Sequence, residues 1–326
     1  FERLKERAAG YPPERVAEIT WVPREKLIEA ARLYATSKPA AIQWGVALEQ
    51  QRLGMSALLA IQDLWALTGN VDVPGGNILN RPGVDYAPLP PPAWGIEDIP
   101  RERLQRAIGA GMHPFFKGAH PDALAEAMLT GKPYTIKMVW MQATNPLACT
   151  AADPKRACEA MHKCEFVVAV DLFMTPSAVA LADLVLPVAS VLERDSIRAE
   201  FVGGWWGPLR AINKVVQVGE CKSDEEILLE VGRRLNPAAF PWENVPQMLD
   251  WLLRDTGLTF AELRERPIPY YAPFEYRKHE KGLLRRDGAP GFPTRNGKFH
   301  LYGPAFEKIG IDPLPYYEEP PESPIS

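Results

Sequence analysis

Three continuous apolar runs in the middle of the chain are the clearest structural pattern in the sequence. They cover residues 136–142, 166–171 and 183–189, and segments with helical periodicity follow them. Continuous rather than alternating apolar strands, joined by helices, are typical of a parallel sheet covered on both faces. The pattern therefore predicts an α/β fold with a doubly wound, mostly parallel sheet and a Rossmann-like dinucleotide-binding topology.

Apolar positions at helical spacing predict further elements on both sides of these runs. The predicted helices cover 23–36, 55–68, 101–108, 122–129, 153–163, 175–182, 224–235, 245–254 and 261–264. The helix at 55–68 is apolar on most sides, which predicts that it is buried. We also predict a short strand at 40–44, an extended segment at 209–218, and a hairpin at 294–301 that turns at Asn296-Gly297.

Composition and charge exclude several classes of function. The net charge is −4 with no basic block, which disfavours nucleic-acid binding through phosphate neutralisation. The longest apolar stretches fall far short of the roughly 20 residues that a membrane span needs. Neither a G-x-G-x-x-G fingerprint nor a P-loop occurs, so a plain NAD-dependent dehydrogenase is disfavoured.

The cysteines and histidines show no spacing that is typical of a metal site or a catalytic pair. The four cysteines form no CxxC pair, and the five histidines are scattered. We predict that the cysteines are small buried residues on a helix and its neighbours, and that the histidines lie at the surface. No catalytic and no metal-ligating residue is predicted within this chain.

Candidate chemistry lies where the predicted strands end, because ligands bind beyond the carboxyl ends of the strands in a doubly wound sheet. The loop at 143–146 follows the first strand, and Asp171 ends the second. A carboxylate there can accept hydrogen bonds from a ribose diol or from purine N–H groups. Thr175 opens the next helix, where free N–H groups favour an anion. The alternative is that Asp171 and Thr175 are only turn and cap residues.

A series of motifs extends over nearly the whole chain in a consistent order. The central run contains Asn145-Pro146, Asp171-Leu-Phe-Met-Thr175, Ala182-Asp183-Leu-Val-Leu-Pro187 and Glu193. Upstream lie QWGVALEQQRLG and LLAIQDLWALTGNVDVPGGN, and downstream lie GECKSDEEILLEVGRRL and TRNGKFHLYG. Together these motifs resemble those of the molybdopterin oxidoreductase, or dimethyl sulfoxide reductase, family. The second Thr of the family's central motif is replaced here by Ser177.

The resemblance implies a bis(molybdopterin guanine dinucleotide) cofactor that carries molybdenum or tungsten. By motif, Asn145 and Asp171 should face one guanosine, with Thr175 beside them. Arg194 should hold a phosphate or the guanine edge, and Asp224 should hydrogen-bond the guanine or its ribose.

The upstream motif implies residues near the pterin. Trp44, Gly45 and Gln50 lie in the loop that approaches the pterin and the metal centre in the family. This loop is two residues longer here than in the commoner form, so either Gln50 or Gln51 can be the pterin-side glutamine.

The resemblance also implies a division of the chain and a larger parent protein. Residues 1–43 should end one α/β domain, 44–285 should form the molybdopterin guanine dinucleotide-binding domain with a proline-rich loop at 82–100, and 286–326 should be the hairpin and linker toward a C-terminal β-barrel. The family's metal ligand, and its [4Fe-4S] cluster where present, belong to an N-terminal section that nothing here matches. We therefore expect this chain alone to be inactive.

For the intact parent, the resemblance implies two-electron redox chemistry, either oxo-transfer or dehydrogenation, on a small substrate. Two alternatives stay open, namely a metal-free structural homologue in a respiratory complex and a non-redox hydratase or hydroxytransferase. The implied partners are the remaining segments of the parent and an iron–sulfur electron-transfer subunit, without nucleic acid and without a direct membrane span. Trp94 and Trp205-Trp206 either line a substrate funnel or anchor loops by ordinary packing.

Overall fold

The computed structural model describes residues 1–81, 99–110, 119–202 and 205–319. Within these ranges it describes the side chains of all residues except 200–202 and 205–207. This description leaves out Trp94, the side chains of Trp205 and Trp206, and almost all of the proline-rich loop predicted at 82–100. The helices are α1 (Glu2–Ala9), α2 (Pro13–Thr20), α3 (Arg24–Thr36), α4 (Val46–Glu49), α5 (Gly54–Thr68), α6 (Arg101–Gln105), α7 (Pro121–Thr130), α8 (Pro154–Met161), α9 (Pro176–Leu181), α10 (Asp224–Leu235), α11 (Val245–Leu253), α12 (Phe260–Arg264) and α13 (Pro304–Glu307). A π-helical turn covers Pro146–Thr150 and a 3-10 turn covers Arg254–Thr256.

Five strands form two sheets in the described part of the chain. They are β1 (Met138–Gln142), β2 (Phe166–Asp171), β3 (Leu184–Pro187), β4 (Ser196–Val202) and β5 (Trp205–Ile212). The first three form a parallel sheet in the order β1-β2-β3, and β4 pairs antiparallel with β5. The three strands predicted from the central apolar runs and the helix predicted at 224–235 are confirmed, whereas the antiparallel pair was predicted only as an extended segment at 209–218.

The chain divides into two compact units, each described separately below. Unit 1 comprises residues 1–81 and 274–326, and unit 2 comprises residues 82–273. These bounds differ from the predicted division at residues 43 and 285, which stays a prediction about domains of the parent. No helix in the described residues has the length and apolar character needed to cross a membrane.

In unit 2, the parallel sheet has helices packed on both of its faces. On one face Val167 and Ala169 of β2 pack with residues of α8 and α9. On the other face Val168 and Val170 pack with Ile227 of α10. The continuous apolar run of β2 is explained by this arrangement, since both alternating sets of side chains are buried. A separate core joins β5 to α11 and α12.

The cysteines take different environments within this unit. Cys158 and Cys164 pack against the core beside α8 and α9, which agrees with their predicted role as small packing residues. Cys149 is exposed, so the prediction of burial is wrong there. Cys149 lies in the π-helical turn Pro146–Thr150, none of whose residues is buried.

The predicted strand at 40–44 is wrong, although its backbone is hydrogen-bonded in a strand-like way. The Asn70 Oδ1 atom accepts the N–H of Ala40 at 3.2 Å, and the Asn77 amide accepts from and donates to the backbone of Ile42 at 3.0 and 2.9 Å. The side-chain amides of Asn70 and Asn77 thus make the hydrogen bonds that the backbone of a neighbouring strand would make in a sheet. Gly76 makes this close turn possible, because a Cβ there would lie 2.6 Å from the Asn70 carbonyl oxygen.

The predicted hairpin at 294–301 is also wrong, although its turn is present at Gly297, with a φ of 70°. The Thr294 hydroxyl donates to the Lys298 carbonyl at 2.8 Å, and the Asn296 carboxamide accepts the Lys298 N–H at 3.1 Å. These side-chain hydrogen bonds occupy the N–H and C=O groups of Lys298, which would otherwise pair with a neighbouring strand.

Helix α5 is only partly buried, contrary to the prediction from its apolar character. Trp65, Ser56 and Asp63 are buried, whereas Met55, Leu64 and Leu67 are exposed. The described residues of the chain therefore cover one side of this helix.

Asp63 is an acidic group on the buried side of α5, with 5% of its surface exposed. Burial raises the pKa of its carboxyl to about 7, because the charged form loses hydration. The folded chain therefore keeps this proton over a pH range in which the unfolded chain has released it. We expect the free energy of unfolding to fall as pH rises from about 4 to about 7.

Replacing Asp63 by Asn removes the titrating group and should remove this loss of stability. We expect a pH-dependent difference of about 1–4 kcal/mol between the wild type and D63N, measured by urea denaturation near pH 4.5 and pH 7.5. The control is D255N, because Asp255 is 58% exposed. An unchanged pH dependence in D63N would contradict this role of the Asp63 carboxyl.

Candidate functional site

The carboxyl end of the central strand in unit 2 presents Asp171 at the rim of the sheet. Residues 167–170 of β2 are buried, and Asp171 is the first residue that reaches solvent. Its Oδ1 atom accepts the N–H of Phe173 at 3.2 Å. No partner is present for the other carboxylate oxygen among the described residues, so it can accept a hydrogen bond from a ligand.

Asn145 and Thr175 hold the two neighbouring rim loops in place. Thr175 caps α9 by accepting the Ala178 N–H at 3.2 Å. The fully buried Ser177 donates from its hydroxyl to Asn145 Oδ1 at 2.6 Å and accepts the Leu147 N–H at 2.9 Å. Ser177, which replaces the motif's second Thr, thus uses its hydroxyl for hydrogen bonds. Thr175 is a helix cap, which is the alternative role that the sequence left open for this residue.

Arg194 and Asp224 are brought together by the fold, although 30 residues separate them. Arg194 Nη1 donates to Asp224 Oδ2 at 2.7 Å, and Gln142 Nε2 donates to Asp224 Oδ1 at 2.6 Å. The Trp140 indole N–H donates in turn to the Gln142 carboxamide oxygen at 3.0 Å. Asp224 is the first residue of α10, so its carboxylate lies at the positive end of the helix dipole.

Glu225 extends this network toward the antiparallel sheet. The Ser196 hydroxyl donates to Glu225 Oε1 at 2.5 Å, and Arg194 Nη1 lies 3.8 Å from Glu225 Oε2. Two buried atoms in the cluster, Arg194 Nε and Glu225 Oε2, have no hydrogen-bond partner among the described residues. A buried donor and a buried acceptor without partners are costly unless a ligand or water satisfies them.

Glu193, the glutamate of the central motif, closes the loop that precedes α10. Its carboxylate accepts the Ser190 N–H at 3.0 Å, the Val218 N–H at 3.1 Å and the Cys221 thiol at 3.3 Å. Hydrogen bonds from Ser190, with that from the Cys221 thiol, lower the pKa of Glu193 to about 2. Glu193 therefore stays charged at neutral pH and supports the loop that leads into Asp224.

The pterin-side residues predicted from the sequence lie in unit 1. Trp44 stacks on Trp65 with 5.5 Å between ring centroids, and its indole N–H donates to Glu49 at 2.7 Å. Gly45 is the N-cap residue of α4. The Gln51 amide donates to the Leu48 carbonyl at 3.2 Å, whereas the exposed Gln50 side chain makes no hydrogen bond to a described residue. Both glutamines are exposed, so the choice between Gln50 and Gln51 as the pterin-side glutamine stays a prediction.

Sequence reasoning missed Gln142, Trp140 and Glu225 as members of the cluster. Gln142 could have been predicted as Asp171 was, from its position at the carboxyl end of a parallel strand, because it ends the neighbouring strand β1. Trp140 bonds to Gln142 within the same strand, whereas the contact of Glu225 with Ser196 joins segments 29 positions apart and left no signal in the sequence. Among the described residues, no group of three or more His, Cys, Asp or Glu side chains is placed to hold a metal ion.

A family model and curated proteins match this chain over most of its length. The family model for molybdopterin oxidoreductase matches residues 27–234. Acetylene hydratase of Syntrophotalea acetylenica is 32% identical, over 100% of this chain and 47% of that protein. Dimethyl sulfoxide reductase DmsA of Escherichia coli is 28% identical, over 94% of this chain and 40% of that protein.

A solved structure is similar over the same extent. The structure of acetylene hydratase from Pelobacter acetylenicus superimposes with a TM-score of 0.84 and 31% identity, over 100% of this chain and 47% of that one. The chain thus spans about half the length of the acetylene hydratases that it matches. Since the family model covers well over half of the chain, this chain belongs to the molybdopterin oxidoreductase family.

Proposed function

We propose that this chain holds guanine dinucleotide portions of a bis(molybdopterin guanine dinucleotide) cofactor in an enzyme that uses molybdenum or tungsten. The observation that carries the proposal is the half-buried Arg194–Asp224–Gln142 cluster in the same unit as the rim carboxylate of Asp171. The parallel sheet is, on this proposal, part of a doubly wound, Rossmann-like domain.

The donor and acceptor set of this unit fits a guanine nucleotide. Guanine presents N1–H and N2–H₂ donors, which the carboxylate of Asp224 can accept because each carboxylate oxygen has two lone-pair sites. The Arg194 guanidinium is partly exposed and can donate to a phosphate oxygen or to the guanine edge. Asp171 has an oxygen available for a ribose hydroxyl.

The residues of the chain orient the bound group and neutralise its charge. Gln142 and Arg194 fix both oxygens of Asp224, and Asn145 with Ser177 fixes the loop beside Asp171. In unit 1, Trp44, Gly45 and Gln50 are the residues proposed to approach the pterin. The metal of the bound cofactor would supply redox or Lewis-acid chemistry, for which the protein provides orientation and electrostatics.

For the intact protein, we propose two-electron redox chemistry, oxo-transfer or dehydrogenation, on a small substrate. The dimethyl sulfoxide reductase among the relatives supports this class. A second candidate is a non-redox hydratase, which is favoured by the acetylene hydratases that match the whole of this chain in sequence and in structure. Partner segments of the same protein, a [4Fe-4S] cluster and an iron–sulfur electron-transfer subunit stay predictions.

The proposal is tested by titrating the chain with GMP and AMP. We expect GMP to bind at least about tenfold more tightly, because adenine lacks the N1–H and N2–H₂ donors that Asp224 accepts. Replacing Asp171 by Asn should weaken GMP binding more than 2′-deoxy-GMP binding, because Asp171 is assigned to the ribose. Equal affinities for GMP and AMP would contradict guanine recognition and would favour a metal-free structural homologue.

A further inference from the structure

A small cavity lies beside the antiparallel sheet in unit 2, at the edge of β5. Leu209 and Tyr270 pair across this edge through two backbone hydrogen bonds of 2.9 Å each. Pro269 directly precedes Tyr270 and Pro267 lies two residues earlier; both lack N–H groups, so they cannot continue the ladder along β5. The two segments therefore separate and leave a cavity of about 150 Å³. Its lining residues are Leu209, Arg210, Ala211, Asn213, Leu263, Arg264, Arg266, Pro267, Ile268 and Pro269.

The cavity has a concentrated positive charge. Three arginines line it, and none of its lining residues is acidic. A fourth, Arg198, stands directly opposite Arg210 in the register of β4 and β5.

Two of the arginines that line the cavity, Arg264 and Arg266, have different surroundings. Asp195 lies 3.6 Å from Arg264, and the Asp195 carboxylate also accepts the Lys214 N–H at 2.8 Å. The Arg266 guanidinium lies over the Tyr270 ring at 5.9 Å, and no carboxylate among the described residues pairs with it. Arg266 therefore keeps its fork of N–H donors for a ligand.

We propose that this cavity binds a free tetrahedral oxyanion of the phosphate or sulfate class. Guanidinium groups match the oxygens of such anions through paired, charge-assisted hydrogen bonds, and the Asn213 carboxamide adds a neutral donor. The volume of about 150 Å³ is well above the roughly 10–15 Å³ that one water needs, so a small hydrated anion fits. Polar atoms make up most of the lining, which disfavours an apolar ligand, and the lack of carboxylates disfavours a metal cation.

The site is tested with inorganic phosphate on the 326-residue chain, by isothermal titration at constant ionic strength maintained with chloride. We expect a dissociation constant near the millimolar range for the wild type, because the guanidiniums are partly solvated. The R264A/R266A variant should bind at least about tenfold more weakly, and R264K/R266K should retain part of the affinity, because lysine keeps the charge without the fork. The matched control is R233A/R254A, which removes two exposed arginines of the same unit outside the cavity.

Phosphate affinity in R264A/R266A equal to that of the control pair would overturn the proposal, and so would the absence of phosphate binding by the wild type. Retention of the wild-type far-ultraviolet circular dichroism by R264A/R266A, together with weakened phosphate binding, would support it. In competition experiments, we expect sulfate to displace phosphate. Methyl phosphate should not displace it, because the proposed ligand is a free anion without an ester group. The proposal is independent of guanine recognition, because R264A/R266A should bind GMP with the wild-type affinity.

Discussion

Replacing Lys278 by Met will lower the free energy of unfolding of unit 1 by about 3–5 kcal/mol. Lys278 and Asp72 are both fully buried, with 2.7 Å between Lys278 Nζ and Asp72 Oδ1. The Lys278 N–H also donates to Asp72 Oδ2 at 2.7 Å, and its ammonium donates to the Glu275 carbonyl at 2.7 Å. Removing the cation alone leaves a carboxylate buried without its counter-charge, which is the costly case.

The measurement is urea or guanidinium denaturation followed by tryptophan fluorescence. The control is K281M, because Lys281 is a neighbouring exposed lysine paired with Glu275 and such pairs contribute about 0–1 kcal/mol. The double variant D72N/K278M should recover part of the loss, because it removes both charges. Asn also suits the backbone at this position, where φ is 53°. Equal stabilities of K278M and K281M would contradict a structural role for the buried pair.

Replacing Asp224 by Asn will weaken binding of GMP by about 10- to 100-fold. Asparagine has one acceptor oxygen and cannot accept from both guanine donors while it also accepts from Gln142 and Arg194. It also leaves the guanidinium of Arg194 without the carboxylate that lies 2.7 Å away. AMP binding should change much less, because adenine makes no use of this carboxylate.

E230Q provides the matched control for this prediction, since Glu230 is a carboxylate of the same helix, α10, and pairs with Lys222 at 2.6 Å instead of with Arg194. Q142L should give an intermediate loss of GMP affinity, because it frees Asp224 to rotate without removing its charge. A GMP affinity of D224N equal to that of E230Q would remove Asp224 from the binding site.

The elements that the sequence predicted well are those whose signals are local. The strand β2 was predicted at its observed bounds because a buried apolar run ends at Asp171. Helix α10 was predicted at its observed bounds as well, and its start is stabilised by a capping box between Ser223 and Glu226. In these segments periodicity, capping and burial indicate the same structure.

The failures concern contacts between distant segments. The chain at 40–44 is held by Asn70 and Asn77 side chains, about 30 residues away, and no periodicity reveals such a partner. The Asp72–Lys278 pair joins residues 206 positions apart. In the candidate site, Asp171, Arg194 and Asp224 came from strand ends and family motifs, whereas the support of Asp224 by Gln142 required the fold.

The most direct test of cofactor binding is to purify the natural polypeptide that contains this chain from a host able to make the cofactor. Its metal content and its released guanine nucleotide are then measured by elemental analysis and mass spectrometry. The proposed function predicts one molybdenum or tungsten and two guanine dinucleotides per polypeptide, with the nucleotide content reduced in D224N but not in E230Q. A wild-type protein that contains neither metal nor guanine nucleotide would contradict it and would identify a metal-free structural member of the family.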